Sequence, residues 1–241
     1  EISGALTLEK RSESISEATA QEYFVLENDT IQLVLTNLGG AVSEINLPFY
    51  SEKNMESVVR PVELDAVMQE KYAYNDHYPS HPYFTPEAKK TMMPQVGGYF
   101  PLLRRDIFNE DGNVVWKISP KHYAFNVVSE YPEVSQLLYK VVSYDRQHIS
   151  FEATQQQRRI TKTYRLPDNP EGLPYVYDVS VTVEGDNRGL WLNSGVPSVD
   201  LMSGSPSFQM KYRSLRDGKT ELKSIDLPKD VTRIGSDQPN W

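Results

Sequence analysis

From Tyr23 onward, apolar and polar residues alternate with a period of two. In IQLVLT, Ile31, Leu33 and Leu35 fall on one face and Gln32, Val34 and Thr36 on the other, the spacing of a half-buried strand. Asn37, Leu38, Gly39 and Gly40 follow, and two adjacent glycines supply the positive φ angles of a tight reversal. The chain resumes as AVSEINLP, completing a β-hairpin that Pro48 closes because proline has no N–H for a ladder. After Asp111-Gly112, itself a hairpin signal, strand-like runs come in quick succession: VVWKI, YAFNVVS, QLLYKVVSY, HISFEAT, RRITKTYRL, YVYDVSVTV, LWLNS and FQMKYRSL. The most regular runs from Tyr175 to Val183, where Tyr175, Tyr177, Val179, Val181 and Val183 form an inner face opposite Val176, Asp178, Ser180 and Thr182. Such closely spaced strands without intervening helices pair antiparallel, so the pattern predicts an all-β protein, a large antiparallel sandwich or barrel.

Two stretches break the alternation. Residues 1–22, EISGALTLEKRSESISEATAQE, have few large apolar side chains to bury and read as a polar, flexible linker, leaving 23–241 for the folded domain. Residues 50–105 carry Pro61, Pro79, Pro82, Pro86, Pro94 and Pro101 and read as a long irregular excursion over the sheet surface. Within it only PVELDAVMQEKY has helical spacing, with Pro61 in the first turn and Leu64, Val67, Met68 and Tyr72 on one face. No internal repeat is present.

Composition narrows the class. A formal charge of −8 argues against nucleic acid as partner and disfavours an anionic lipid surface, because both need a surplus of Lys and Arg. The apolar runs are far shorter than the roughly 20 residues needed to cross a bilayer as a helix. The absence of cysteine removes disulfides, thiolate metal sites and a cysteine nucleophile together.

No catalytic constellation emerges, and no catalytic, cofactor or metal residue is assigned. His77 and His81 have the spacing of a helical metal pair, but Pro79 between them opposes a helix and no ligand cluster accompanies them. Asp65, Asp76, Asp106 and Asp200 are most simply turn or cap residues. Gly39-Gly40 and Gly97-Gly98 lack phosphate-loop spacing, and Ser194 and Ser205 lack a nucleophile elbow. In QQQRRITKTYR, Arg159, Thr161, Thr163 and Arg165 share one face and Ile160, Lys162 and Tyr164 the other; the first is a basic solvated face, a docking strip for an acidic partner, or a protected edge. Trp116 and Trp191 fit core packing better than sugar stacking.

The stretch VLENDTIQLVLTNLGGAVSEINLPF resembles the entry into the extracytoplasmic domain of the YidC family of membrane protein insertases: a strand at Leu33–Thr36, a turn at Gly39-Gly40, and a strand ending near Pro48 and Phe49. ITKTYRLPDNPEGLPYVYDVSVTVE is similar to a second block of that family, and NDHYPSHPYFTPEAKK with GGYFPLLRR looks most like its chlamydial versions. The resemblance implies a twisted, mutarotase-like β-supersandwich on the periplasmic face of the inner membrane, without enzyme activity or cofactor. It implies partners among membrane-protein substrates and translocon accessory subunits, with insertion itself performed by a membrane-embedded helical groove. Two other readings compete. A mutarotase-like enzyme or carbohydrate-binding module requires a His and a carboxylate converging in a concave, aromatic-walled cleft. A secreted adhesin or assembly module has only the sandwich composition in its favour.

Overall fold

The computed structural model describes residues 20–61, 73–88, 90–155, 157–167, 174–196, 209–216 and 219–226. The helical expectation for PVELDAVMQEKY therefore lies outside the described residues beyond Pro61, as do Asp65, Asp200 and Ser205. Strands dominate. In chain order they are β1 (Tyr23–Glu27), β2 (Gln32–Thr36), β3 (Ala41–Pro48), β4 (His77–Tyr78), β5 (Gln95–Val96), β6 (Tyr99–Pro101), β7 (Ile107–Phe108) and β8 (Val114–Trp116). Then come β9 (Val127–Val128), β10 (Lys140–Tyr144), β11 (His148–Gln155), β12 (Arg158–Arg165), β13 (Asp178–Gly185), β14 (Trp191–Leu192), β15 (Gln209–Arg216) and β16 (Lys219–Asp226). Helix among the described residues is confined to 3-10 turns at Ala73–Asp76, Pro120–His122 and Pro132–Gln136.

By packing, the chain divides into Glu1–Ser198 and Val199–Trp241. The first unit is built on two four-stranded antiparallel sheets, ordered β1-β2-β3-β6 and β10-β11-β12-β13. Their facing sides share one core: Phe24, Leu26, Leu33, Leu35, Val42 and Ile45 from the first sheet meet Ile149, Phe151, Ala153, Ile160 and Tyr164 from the second. Phe24 contributes edge contacts to Phe151 and Tyr144, at 5.9 Å and 5.5 Å between ring centroids. The all-β sandwich expected from the alternation is thus what the chain adopts. In the second unit β15 and β16 pair as an antiparallel hairpin, Gln209 opposite Asp226 and Arg216 opposite Lys219.

Both predicted hairpins form. β2 and β3 pair across Asn37–Gly40, where Gly39 and Gly40 take φ of 79° and 51°, and β7 pairs with β8 across Gly112. Four expectations need correction. The Ile31–Thr36 strand is not half-buried: every residue of β2 is buried, because on the face away from the main core Tyr83 of the irregular excursion packs with Val34, Tyr23 and Val25, while Gln32 bonds Glu27 and Asn46 and Thr36 bonds Gln21. β13 starts at Asp178 rather than Tyr175, since Tyr175 sits in a turn with φ of 66°. The basic strand β12 is no edge, lying between β11 and β13. Trp116 and Trp191 are not core residues; they stand 42% and 56% exposed on two-stranded ribbons.

Candidate functional site

Two polar centres flank the first sheet, one on each face, and both are buried.

The inner centre is organised by Lys162. Its position in β12 alternates with Thr161 and Thr163, so its side chain must point into the core beside Ile160 and Tyr164. It is completely buried, and Nζ donates to the Gly39 carbonyl (2.6 Å) and the Phe125 carbonyl (2.7 Å) and lies 5.0 Å from the centre of the Tyr139 ring. Two residues on, the Tyr164 hydroxyl donates to the Gly40 carbonyl at 2.8 Å. Alternate residues of TKTY therefore hold consecutive carbonyls of the Gly39-Gly40 turn, the two blocks that carry the family resemblance. Burial pushes the Lys162 ammonium down to about 7. Burial also raises the Tyr164 hydroxyl well above its ordinary value.

The glycines of this turn have no room for side chains. A Cβ on Gly39 would lie 2.6 Å from the Asn126 amide group, and one on Gly40 would lie 2.9 Å from the Tyr139 ring. Asn126 is itself fixed, donating to the carbonyls of Pro120 and Ser135 at 2.8 Å and 2.9 Å. Asn37 anchors the chain that enters the domain: its side chain accepts from the Glu22 N–H and donates to the Ala20 carbonyl. The end of the predicted polar linker is thus tied to the same turn.

The outer centre lies under residues 78–106. The Glu44 carboxylate, on β3, accepts from the Ser80 N–H (3.0 Å), the Ser80 hydroxyl and the Asn46 amide (3.2 Å), and pairs with Arg105 Nε at 3.4 Å. Arg105 also donates to the His77 carbonyl and lies over the Tyr78 ring, 4.2 Å from its centroid. Asp106 accepts from the Ile118 N–H (2.8 Å) and pairs with His81 Nε2 (3.0 Å), while the His81 ring stacks on Tyr23 at 4.7 Å. Desolvation raises the hydroxyls of Tyr23, Tyr78 and Tyr123, the last two to about 12.

Asp106 is thus no local turn residue but a buried carboxyl group joining His81 to the segment before the Pro120 turn. Asp76 does lie in a turn, in the 3-10 segment Ala73–Asp76. His77 and His81 do not act together: His77 Nδ1 bonds the Ala73 carbonyl at 2.7 Å and its ring stacks on Tyr74. Among the described residues no group of three or more His, Asp or Glu side chains is suited to a metal. His81 and Asp106 do converge, as the carbohydrate reading requires. The cavity beside them measures about 10 Å³, however, room for about one water and not for a sugar. Ser194 is exposed, and Gly97-Gly98 forms a turn at φ of 71° and 88°.

The sequence reading missed Glu44 and Arg105, which lie in runs without distinctive spacing. Lys162 carried a signal: a lysine sharing a strand face with Ile160 and Tyr164 is either at the rim of a core or inside it. On the outer surface, Ile107, Val114, Val115 and Trp116 of the β7–β8 ribbon are all exposed, Val115 by 61%, and so are Trp191 and Leu192 of β14. Arg159 is not a free docking charge, since it pairs with Glu184 on β13.

No family model and no solved structure matches the chain. Sequence comparison does find relatives. The chain is 32% identical over 215 residues to the membrane protein insertase YidC of Chlamydia caviae, an alignment covering 88% of this chain and 26% of that protein. The Chlamydia muridarum protein of the same name is 29% identical over 229 residues, covering 92% and 28%, and that of Chlamydia trachomatis 28% over 210 residues, covering 86% and 25%. The chain spans about a quarter of the length of these relatives. No helix among the described residues is long and apolar enough to cross a membrane. The resemblance first visible in VLENDTIQLVLTNLGGAVSEINLPF is therefore borne out: the chain is a domain of the YidC insertase type.

Proposed function

We propose that this chain is a non-catalytic, periplasm-facing domain of a membrane protein insertase, joined to membrane-embedded helices that perform insertion, and that it docks segments of membrane-protein substrates. The observation carrying this reading is the alignment itself: nearly all of this chain corresponds to about a quarter of each relative, all three named membrane protein insertases. A sandwich whose polar centres are packed shut suits a scaffold better than an enzyme, because chemistry needs a cleft that admits a reactant. Docking to translocon accessory subunits belongs to the same reading and uses the same outer surface.

The surface best suited to a substrate segment is the β7–β8 ribbon, where Ile107, Val115 and Trp116 expose apolar area at no evident benefit to the fold. The variant Val115→Glu combined with Trp116→Ser, placed in the full-length insertase, tests it in a vesicle insertion assay. The expected result is a several-fold slower insertion with the circular dichroism of the domain unchanged; an unchanged insertion rate overturns the docking role.

A further inference from the structure

The two sheets of the first unit have four edges between them, and three are blunted. β1 is met by Phe84, whose N–H donates to the Tyr23 carbonyl and whose carbonyl accepts from the Val25 N–H. β6 is only three residues long and ends in Pro101. β10 opens with Lys140, and its register slips between Val141 and Ser143. Short length, lysine, proline and bulges are the devices that keep a sheet edge from pairing with another chain. β13 has no lysine, proline or bulge: it pairs with β12 in unbroken register over eight residues, and no described residue pairs with its far side.

Hydrogen bonding fixes which backbone groups face that side. The Asp186 N–H donates to the Gln157 carbonyl at 3.0 Å, and the ladder alternates from there, so Glu184, Thr182, Ser180 and Asp178 turn their N–H and C=O groups toward β12. The bond from the Leu166 N–H to the Gln147 carbonyl, propagated the same way, turns Ile160, Lys162 and Tyr164 toward β11 and leaves the other residues of β12 for β13, in agreement. The N–H and C=O groups of Val179, Val181 and Val183 therefore point away from β12, and no described residue bonds them. Their side chains lie half-buried along the lip of the core, while Asp178, Ser180, Thr182 and Glu184 are exposed.

We propose that the free edge of β13 receives an extended polypeptide segment of a partner as an added antiparallel strand, one whose apolar residues alternate with polar ones and which carries Lys or Arg at both ends of the pairing. The open backbone groups supply the hydrogen bonds of strand addition, and the valine lip supplies apolar cover for every second residue of the incoming strand. The basic ends follow from charge: Asp178 and Glu184 stand on the exposed face at the two ends of β13, and opposite charges directly across a ladder stabilise it. The same charges disfavour a second copy of this chain. In the antiparallel self-pairing that uses the whole strand, centred on Val181, Asp178 falls opposite Glu184 of the other copy at each end, and like charges so placed destabilise the pair. This edge is a different surface from the β7–β8 ribbon, and its pairing does not depend on the insertase assignment.

The test is backbone hydrogen exchange of the 241-residue chain, followed by NMR and corrected for intrinsic rates, with and without the synthetic peptide KVTVTVK, whose lysines fall opposite Asp178 and Glu184. In the free chain the amides of Ser180 and Thr182 are expected to be protected and those of Val179, Val181 and Val183 to exchange freely; the peptide should slow these three several-fold. A peptide with proline for the central valine has no N–H to donate to the Val181 carbonyl and should have no effect, and one with glutamates for the lysines should act several-fold more weakly. Protection of the three valine amides before any peptide is added, an effect shared by the proline peptide, or no effect at all overturns strand addition. Protection that grows with protein concentration alone gives the edge to a second copy and overturns the partner, and equal action of the glutamate peptide overturns the basic ends. Val181→Pro, whose nitrogen lies outside the ladder to β12, should abolish the peptide's effect at Val179 and Val183, and persistence of that effect overturns pairing at this edge. Should this variant fail to fold, the wild type with the three peptides decides.

Discussion

A lysine, a tyrosine and two glycines explain why two separate sequence blocks belong together. Lys162 and Tyr164 reach from β12 to the carbonyls of Gly39 and Gly40, and the space beside each glycine is taken by Asn126 or Tyr139. Gly39→Ala should therefore cost about 1–3 kcal/mol from its φ of 79° alone, plus the displacement of the Asn126 amide; thermal or denaturant unfolding measures it. Tyr164→Phe leaves the Gly40 carbonyl without its donor in a dry core and should cost about 1–3 kcal/mol, again read by unfolding. The need for glycine was legible in the sequence, because paired glycines between alternating runs mark a reversal. The bonds from Lys162 and Tyr164 to that turn were not, because a strand pattern says which face Lys162 occupies but not which distant turn lies above it.

At the level of elements, alternation identified most of the strands but misjudged how many faces were covered. β2 was expected to show one face to water; instead Val34 packs with Tyr23, Val25 and Tyr83 beneath the excursion. The proline-rich excursion is held to the first sheet by backbone pairing, β6 on β3 and Phe84 on Phe24, and by side chains, which single-sequence periodicity cannot register. One of them is Tyr144, whose hydroxyl lies 2.8 Å from the carbonyls of both Val25 and Phe84, where the excursion crosses β1. Tyr144→Phe should leave the sandwich folded but loosen the segment around Phe84, seen as faster proteolysis between residues 80 and 92 with little change in circular dichroism. Proteolysis indistinguishable from wild type would show that the backbone bonds of this crossing suffice. The two ribbons with exposed tryptophans were misread for a related reason: alternation predicts a strand, but a strand of two or three residues at the margin of a sandwich has no second layer to bury it.

At the scale of the molecule, nine buried or half-buried tyrosines among the described residues govern the response to alkali. Burial raises the hydroxyls of Tyr23, Tyr78, Tyr83, Tyr99, Tyr123, Tyr139, Tyr144, Tyr164 and Tyr177. A raised folded value means that the native state holds protons the unfolded chain loses near pH 10, so their contribution is intact below about pH 10 and lost above it. Tyrosinate absorbance should therefore rise together with unfolding rather than ahead of it. Titration of all the tyrosines in a still-folded domain would contradict their burial. The fold class and the family were legible in the sequence, but the functional surface was not: exposed apolar side chains are defined by what fails to cover them, which only the structure shows.

The most direct test of the central claim is site-specific photocrosslinking in the full-length insertase. A crosslinking amino acid at Val115, with a matched control at Val142 on β10, is activated while a model membrane protein is being inserted. The account predicts adducts between Val115 and the inserting protein on the periplasmic side, and few or none from Val142. Equal labelling from both positions, or adducts from neither, would contradict a substrate-docking domain.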